Sequence, residues 1–131
     1  MIKQVLLRIR EMMFHFKNIS RTTYRVYVDD ADLIELKING VPYIVSDVSG
    51  SGIGFYLQNS DAFNVMDEVY PISLKFGEQS FCGISGNIVH ISLLKDGSHI
   101  CGLRFVNIDN QLKSSLGGYI HSKIAYRLRK E

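Results

Sequence analysis

Arg21 and Arg25 stand four residues apart in the segment RTTYR. Each guanidinium offers five donors in a rigid planar fork. That fork suits a phosphate, and equally the O6/N7 edge of a guanine. The two forks converge only if the chain turns there, so the pair is half of a candidate anion site. A second stretch, SDVSGSGIG at 46–54, sets Asp47 and Ser49 two residues apart and follows them with Gly50, Gly52 and Gly54. An ionised carboxylate only accepts, and glycine allows positive φ and close backbone approach. No lysine follows to make a P-loop. The glycine spacing is also wrong for a dinucleotide fingerprint, and a strand follows where that motif needs a helix. Taken alone, the stretch reads as a turn or bulge whose Asp47 and Ser49 bond to nearby amides.

The elements around these stretches are mostly strands. Ile34, Leu36 and Ile38 alternate with Glu35 and Lys37, the pattern of a half-buried strand. Asn39-Gly40 is a tight-hairpin signal. VPYIVSDV returns, and GFYLQ follows the glycines as a third strand. VYPISLKF, the long FCGISGNIVHISLL with bends expected at Gly83 and Gly86, and HICGLRFVNI complete the set, with Asp96-Gly97 expected as a second two-residue turn. The spacing suggests about six short strands in a small closed antiparallel barrel or sandwich. A helix flanks each end. The first, over residues 1–17, carries an apolar stripe of Ile2, Val5, Leu6, Ile9, Met12, Met13 and Phe16. It packs on the domain or on another protomer, with a membrane surface as the alternative. The second follows Gly117-Gly118, with Tyr119, Ile120, Ile124 and Leu128 on one side and Lys123, Arg127, Arg129 and Lys130 off it. The expected organisation is a helix at 1–17 and a barrel domain with its terminal helix at 18–131.

The two stretches gain meaning together. Arg21 and Arg25 as RxxxR, then Asp47, Ser49 and Gly52 as [DN]xSxxG, resemble the PilZ domain family of bacterial cyclic di-GMP receptors. Tyr24, Val26, Gly54, GNIVH and CGLRFV look familial as well. Order, spacing and strand context agree over roughly residues 18 to 128. The resemblance implies an all-β fold with flanking helices, a six-stranded antiparallel PilZ-type barrel. It also implies a ligand, cyclic di-GMP, in place of any cofactor, and a binding role in place of an enzymatic one. Arg21 and Arg25 would meet phosphate or guanine. Asp47 would accept from a guanine N–H, Ser49 would bond to base or backbone, and Gly52 would keep the floor open. Many members carry another basic residue where Ser20 stands, which bears on affinity and stoichiometry. Binding would order the arginine segment and pass the change to a protein partner controlling motility, surface attachment or polysaccharide output.

Composition narrows the other classes. The chain has 131 residues, 46% hydrophobic and 21% charged, with a net charge of +2, so it fits one soluble domain without a strong global field. That balance disfavours a single-strand nucleic-acid barrel, which needs aromatics interleaved with a basic stripe. A PilZ-fold adaptor working through protein contacts alone is the nearer alternative, and the intact motifs argue against it. Two cysteines do not make a disulfide scaffold, and no apolar run reaches membrane-spanning length. The expected location is the cytoplasm. Cys82, His90, His99 and Cys101 have no C-x-x-C pair among them, so no metal site is expected. No nucleophilic triad is visible in the order of residues. Monomer and homodimer are both open.

Overall fold

In the computed structural model, residues 25–29, 32–58 and 62–130 are described, the side chains as far as 126. Arg21, Tyr24 and the helix expected at 1–17 lie outside them. Eight strands form one antiparallel sheet: β1 (Arg25–Tyr27), β2 (Ile34–Ile38), β3 (Val41–Tyr43), β4 (Val45–Ser49), β5 (Gly52–Leu57), β6 (Glu68–Phe76), β7 (Gln79–Leu93) and β8 (His99–Val106). The helix α1 (Asn110–Lys130) follows. The order across the sheet is β1-β4-β5-β8-β7-β6-β2-β3. β2 touches β4 and β3 touches β5 across the interior. The sheet therefore curls toward a barrel, but no ladder joins β1 to β3.

The class is the expected one, while the described residues form eight strands where about six were expected. Part of the difference lies in VPYIVSDV. Its first half pairs with β2 and its second half with β5 and β1, so one extended segment changes partners at the exposed Ile44. The rest is β1, short but fully laddered against β4.

The first hairpin forms as read: Asn39 and Gly40 hold φ of 50° and 81°, the left-handed pair that a two-residue turn needs. The second does not. The Leu94 N–H donates to the Ser98 carbonyl at 2.8 Å, closing a loop of Lys95, Asp96 and Gly97, with Gly97 at φ 91°. Ser98 donates to the Asp96 carboxylate from its hydroxyl at 2.6 Å and its N–H at 2.9 Å, which holds that carboxyl below its usual range. Gly83 sits at a bulge as expected, with φ 68°. Gly86 also borders a register shift against β6, and it marks a close approach as well, since a Cβ there would fall 2.8 Å from the Arg104 carbonyl oxygen.

Alternating residues of the strands fill the interior. Leu36, Val48, Phe55, Ile72, Leu74 and Ile88 are wholly enclosed. The helix begins at Asn110 and not after the glycine pair. Asp109 caps it, its carboxylate accepting from the Leu112 N–H at 2.8 Å. Leu112, Leu116, Ile120 and Ile124 recur at helical spacing and are all buried in the same core. Burying four such side chains stabilises the helix by roughly 1.5–3 kcal/mol each, which outweighs about 1 kcal/mol lost at each interior glycine. A Cβ at Gly118 would meet nothing within 4 Å. Gly118→Ala is therefore expected to raise stability by about 0.5–1 kcal/mol, read as a higher unfolding midpoint in urea.

Lys123 departs most from its expected place off the apolar stripe. Its side chain is buried, and its ammonium donates to Asp29 at 2.7 Å and Asp32 at 2.9 Å. Tyr119 donates to the same Asp32 carboxylate at 2.8 Å, and so does the Asp29 N–H. The connection between β1 and β2 is thereby clamped to the helix.

Candidate functional site

Asp47 owes its position to a bulge. Val45 pairs with Phe55 and Asp47 with Gly54, so Ser46 is one residue too many on β4. Val45 and Val48 are both buried although they are three apart. The extra residue lets both face the core while Ser46 and Asp47 share a single position opposite Gly54. The Ser46 hydroxyl donates to the Asp47 carboxylate at 2.5 Å. Ser49, two residues on, lies on the same face and bonds weakly to the Gly52 carbonyl at 3.4 Å.

β7 carries a second bulge of the same kind. Ile88 pairs with Leu103 and His90 with Gly102, leaving Val89 as the extra residue. His90 therefore turns to the outer face, whereas Cys101 faces the core with no exposed surface. A two-residue turn at Asp96-Gly97 would have put His90 on the face of His99 and Cys101; the three-residue loop shifts the register by one and sets His90 opposite Gly102, on the other face. Burial pushes the Cys101 thiol up to about 11, so it stays protonated and unreactive.

Between the bulged strands lies a floor without side chains. Gly54 of β5 pairs directly with Gly102 of β8. A Cβ at Gly54 would fall 2.3 Å from the Asp47 carboxylate, and one at Gly102 would fall 2.2 Å from the His90 ring. Asp47 thus reaches over the floor from one side and His90 from the other. Gly52 meets a different constraint: a Cβ there would lie 2.1 Å from the Leu103 carbonyl oxygen. It serves the close approach of β5 to β8.

Arg25 enters from the edge. β1 pairs it with Ser49 and pairs Tyr27 with Asp47. The guanidinium is therefore diagonal to the carboxylate, and Nη1 lies 3.5 Å from Oδ1. Arg25 is 48% exposed and Asp47 only 8%, so the pair has one wet partner and one enclosed one. Arg25, Asp47, Ser49 and Gly52 all line one open cleft of about 210 Å³. Arg21 lies outside the described residues, so four of the five candidate residues are brought together here. Val89, His90 and Arg104 line the same cleft; the sequence reading quoted GNIVH and CGLRFV, which contain them, but named none of the three as ligand-binding. A signal for two of them existed: the apolar pairs Val45/Val48 and Ile88/Ile91 are each three apart, out of step with a regular strand. Each spacing marks a bulge and two residues turned outward. Among the described residues, no three His, Cys, Asp or Glu side chains lie together as metal ligands.

The PilZ domain model matches residues 11–122. The chain belongs to the PilZ family. No curated protein matches it by sequence. Among solved structures, the PilZ fold seen here is similar to Escherichia coli YcgR in complex with cyclic di-GMP (TM-score 0.61, 17% identity, 82% of this chain and 46% of that one). The Klebsiella pneumoniae MrkH–cyclic di-GMP complex gives 0.67 at 13% identity over 82% of this chain and 54% of that one. The Bacillus subtilis inhibitor of motility MotI gives 0.62 at 18% identity, over 86% and 54%. This PilZ chain thus spans about half the length of those three proteins, and at such identities the likeness is one of fold. No described helix is long and apolar enough to cross a membrane.

Proposed function

We propose that this PilZ protein is a receptor for cyclic di-GMP, with Arg21, Arg25, Asp47, Ser49 and Gly52 as its principal ligand-binding residues. One observation carries the reading: the bulge at Ser46 and the glycine at position 54 bring Asp47, Ser49 and Arg25 to one open cleft. The chemistry matches a ligand with two phosphates and two guanines. The half-exposed Arg25 fork takes a phosphate or a guanine O6/N7 edge. Asp47 accepts from a guanine N–H, and Ser49 supplies a hydroxyl beside it.

Arg25 starts β1, and Asp29, just beyond its end, holds Lys123 of α1. A ligand that draws Arg25 inward therefore pulls on a segment already fixed to the helix. The change is relayed from there to a protein partner governing motility, attachment or polysaccharide output. The setting is the cytoplasm, where the ligand would be met.

Titration calorimetry with cyclic di-GMP tests the proposal. Saturable heat at micromolar ligand supports it, and the absence of heat at tens of micromolar overturns it. Gly54→Ala refines the test. The new methyl occupies the space of the Asp47 carboxylate, which has to swing away. Binding is expected to fall by an order of magnitude or more, roughly the cost of one misplaced charged hydrogen bond. The circular dichroism spectrum should remain that of the folded protein.

A further inference from the structure

The RxxxR and [DN]xSxxG motifs account for one flank of the cleft. The opposite flank, on β7 and β8, is built by residues outside both motifs. Arg104 pairs with Gly52 across β5 and β8 and lies two residues from Gly102, so it projects on the floor side. It is exposed and lines the cleft. Among the described residues no ion pair or hydrogen bond engages its guanidinium, in contrast to Arg25. Beside it the bulge at Val89 turns two neighbours to the same face. Val89 is 43% exposed and so presents apolar surface to the cleft. The His90 ring lies against Gly102, where a Cβ would fall within 2.9 Å of three of its atoms. The flank therefore offers an apolar side chain, a flat ring and a planar fork whose five donors have no partner among the described residues.

That combination fits a base and not a phosphate. A phosphate gains nothing from Val89 or from a ring face, whereas a purine gains from both and presents acceptors to the fork. The position fits as well. Arg25 and Arg104 are separated by three strand spacings, about 14 Å between backbones. With the reach of both side chains, the two forks bracket a molecule of dinucleotide size and meet its opposite ends.

We infer that Arg104, with Val89 and His90, forms a second subsite that reads the O6/N7 edge of one guanine. This rests on the proposed function and extends it by assigning guanine specificity to a residue outside both motifs. Guanine presents two acceptors to the fork, whereas adenine replaces O6 with an N–H donor. An arginine here selects for guanine through that clash of donors.

The test is calorimetry of the full chain and two variants, Arg104→Ala and Arg104→Lys, each against cyclic di-GMP and cyclic di-AMP. The wild type is expected to prefer the guanine ligand strongly. Arg104→Ala is expected to lose at least tenfold in affinity for cyclic di-GMP and to narrow the preference over cyclic di-AMP by a similar factor. Arg104→Lys keeps the charge without the fork, so it too should narrow the preference. Thermal unfolding coincident with the wild type shows that the variants are folded, as expected for an exposed side chain. A wild type that binds while Arg104→Ala stays within twofold of it overturns the subsite and leaves the receptor reading standing. Equal weakening for both ligands makes Arg104 a phosphate contact and also overturns it. A wild type that binds neither ligand removes the receptor reading, and this inference with it.

Discussion

Asp47→Ala is expected to weaken cyclic di-GMP binding by about 2 kcal/mol or more, near thirtyfold, measured by titration calorimetry. The size follows from enclosure. The Asp47 side chain is 8% exposed and rests on the glycine floor, so a guanine donor that reaches it has left water behind. Without the carboxylate that donor has no acceptor. Arg25→Ala should weaken binding by a comparable amount, and the two variants should differ in stability without ligand. Removing Asp47 leaves Arg25 48% exposed, where water replaces its partner. Removing Arg25 leaves an enclosed carboxylate that, among the described residues, keeps the Ser46 hydroxyl as its side-chain partner, and stranding a buried charge costs more than stranding a wet one. In urea unfolding, Arg25→Ala should therefore be the less stable variant. The opposite order would mean that Asp47 is better solvated than its place on the floor implies.

Lys123→Met carries the second large effect, this time on stability. The substitution keeps the apolar stem and removes the ammonium, leaving Asp29 and Asp32 without their cation. Asp29 is 64% exposed and recovers by solvation, whereas Asp32 is 19% exposed and recovers less. A loss of about 2–3 kcal/mol is expected, below the range for a fully buried pair because half of the site is wet. The pH dependence has a definite sign. Burial opposes the charge of Lys123, but its hydrogen bonds to Asp29 and Asp32 and their charges raise its pKa overall. Its contribution is complete below about 10.4, the unfolded value, and is lost as pH rises through the higher folded value. Burial likewise opposes ionisation of Asp32, and hydrogen bonds from the Asp29 N–H, Lys123 and Tyr119 more than offset it, so its pKa is lowered. That contribution is present above about 3.9 and is lost as pH falls through the lower folded value. Between those limits the clamp should be insensitive to pH, and the gap between wild type and Lys123→Met should close at both extremes.

Local signals in the sequence were readable where one residue type had one conformation to serve. Asn39-Gly40 demanded a left-handed pair and formed one. The alternation of Ile34, Leu36 and Ile38 set a strand whose last two apolar residues are buried. Asp47, Ser49 and Gly52 were placed by motif, and they do line one cleft with Arg25. What failed depended on the partner. Nothing in IHSKIAY says that Lys123 is buried, because its reason lies in two carboxylates on a distant loop. The helix ran through Gly117-Gly118 because four buried residues outvoted two local penalties. Gly54 read as a strand-end residue, and its role rests on the side chain of a neighbouring strand. His90 and Arg104 were passed over for the same reason: register, more than sequence distance, sets them beside Asp47.

The bulge at Ser46 has a consequence for chain length. An insertion or deletion inside a paired strand ordinarily inverts everything beyond it, core residues outward and surface residues inward. Here Val45 and Val48 both face the core, and Ser46 and Asp47 together take the opposite face, where they are enclosed beneath the cleft. With Ser46 taken out, Val45, Asp47, Val48 and Ser49 would simply alternate. The motif sits at a joint where the strand tolerates one residue more or fewer without losing its inside and outside. Ser46 is then an accessory, a second hydroxyl placed against the carboxylate at no expense to the core.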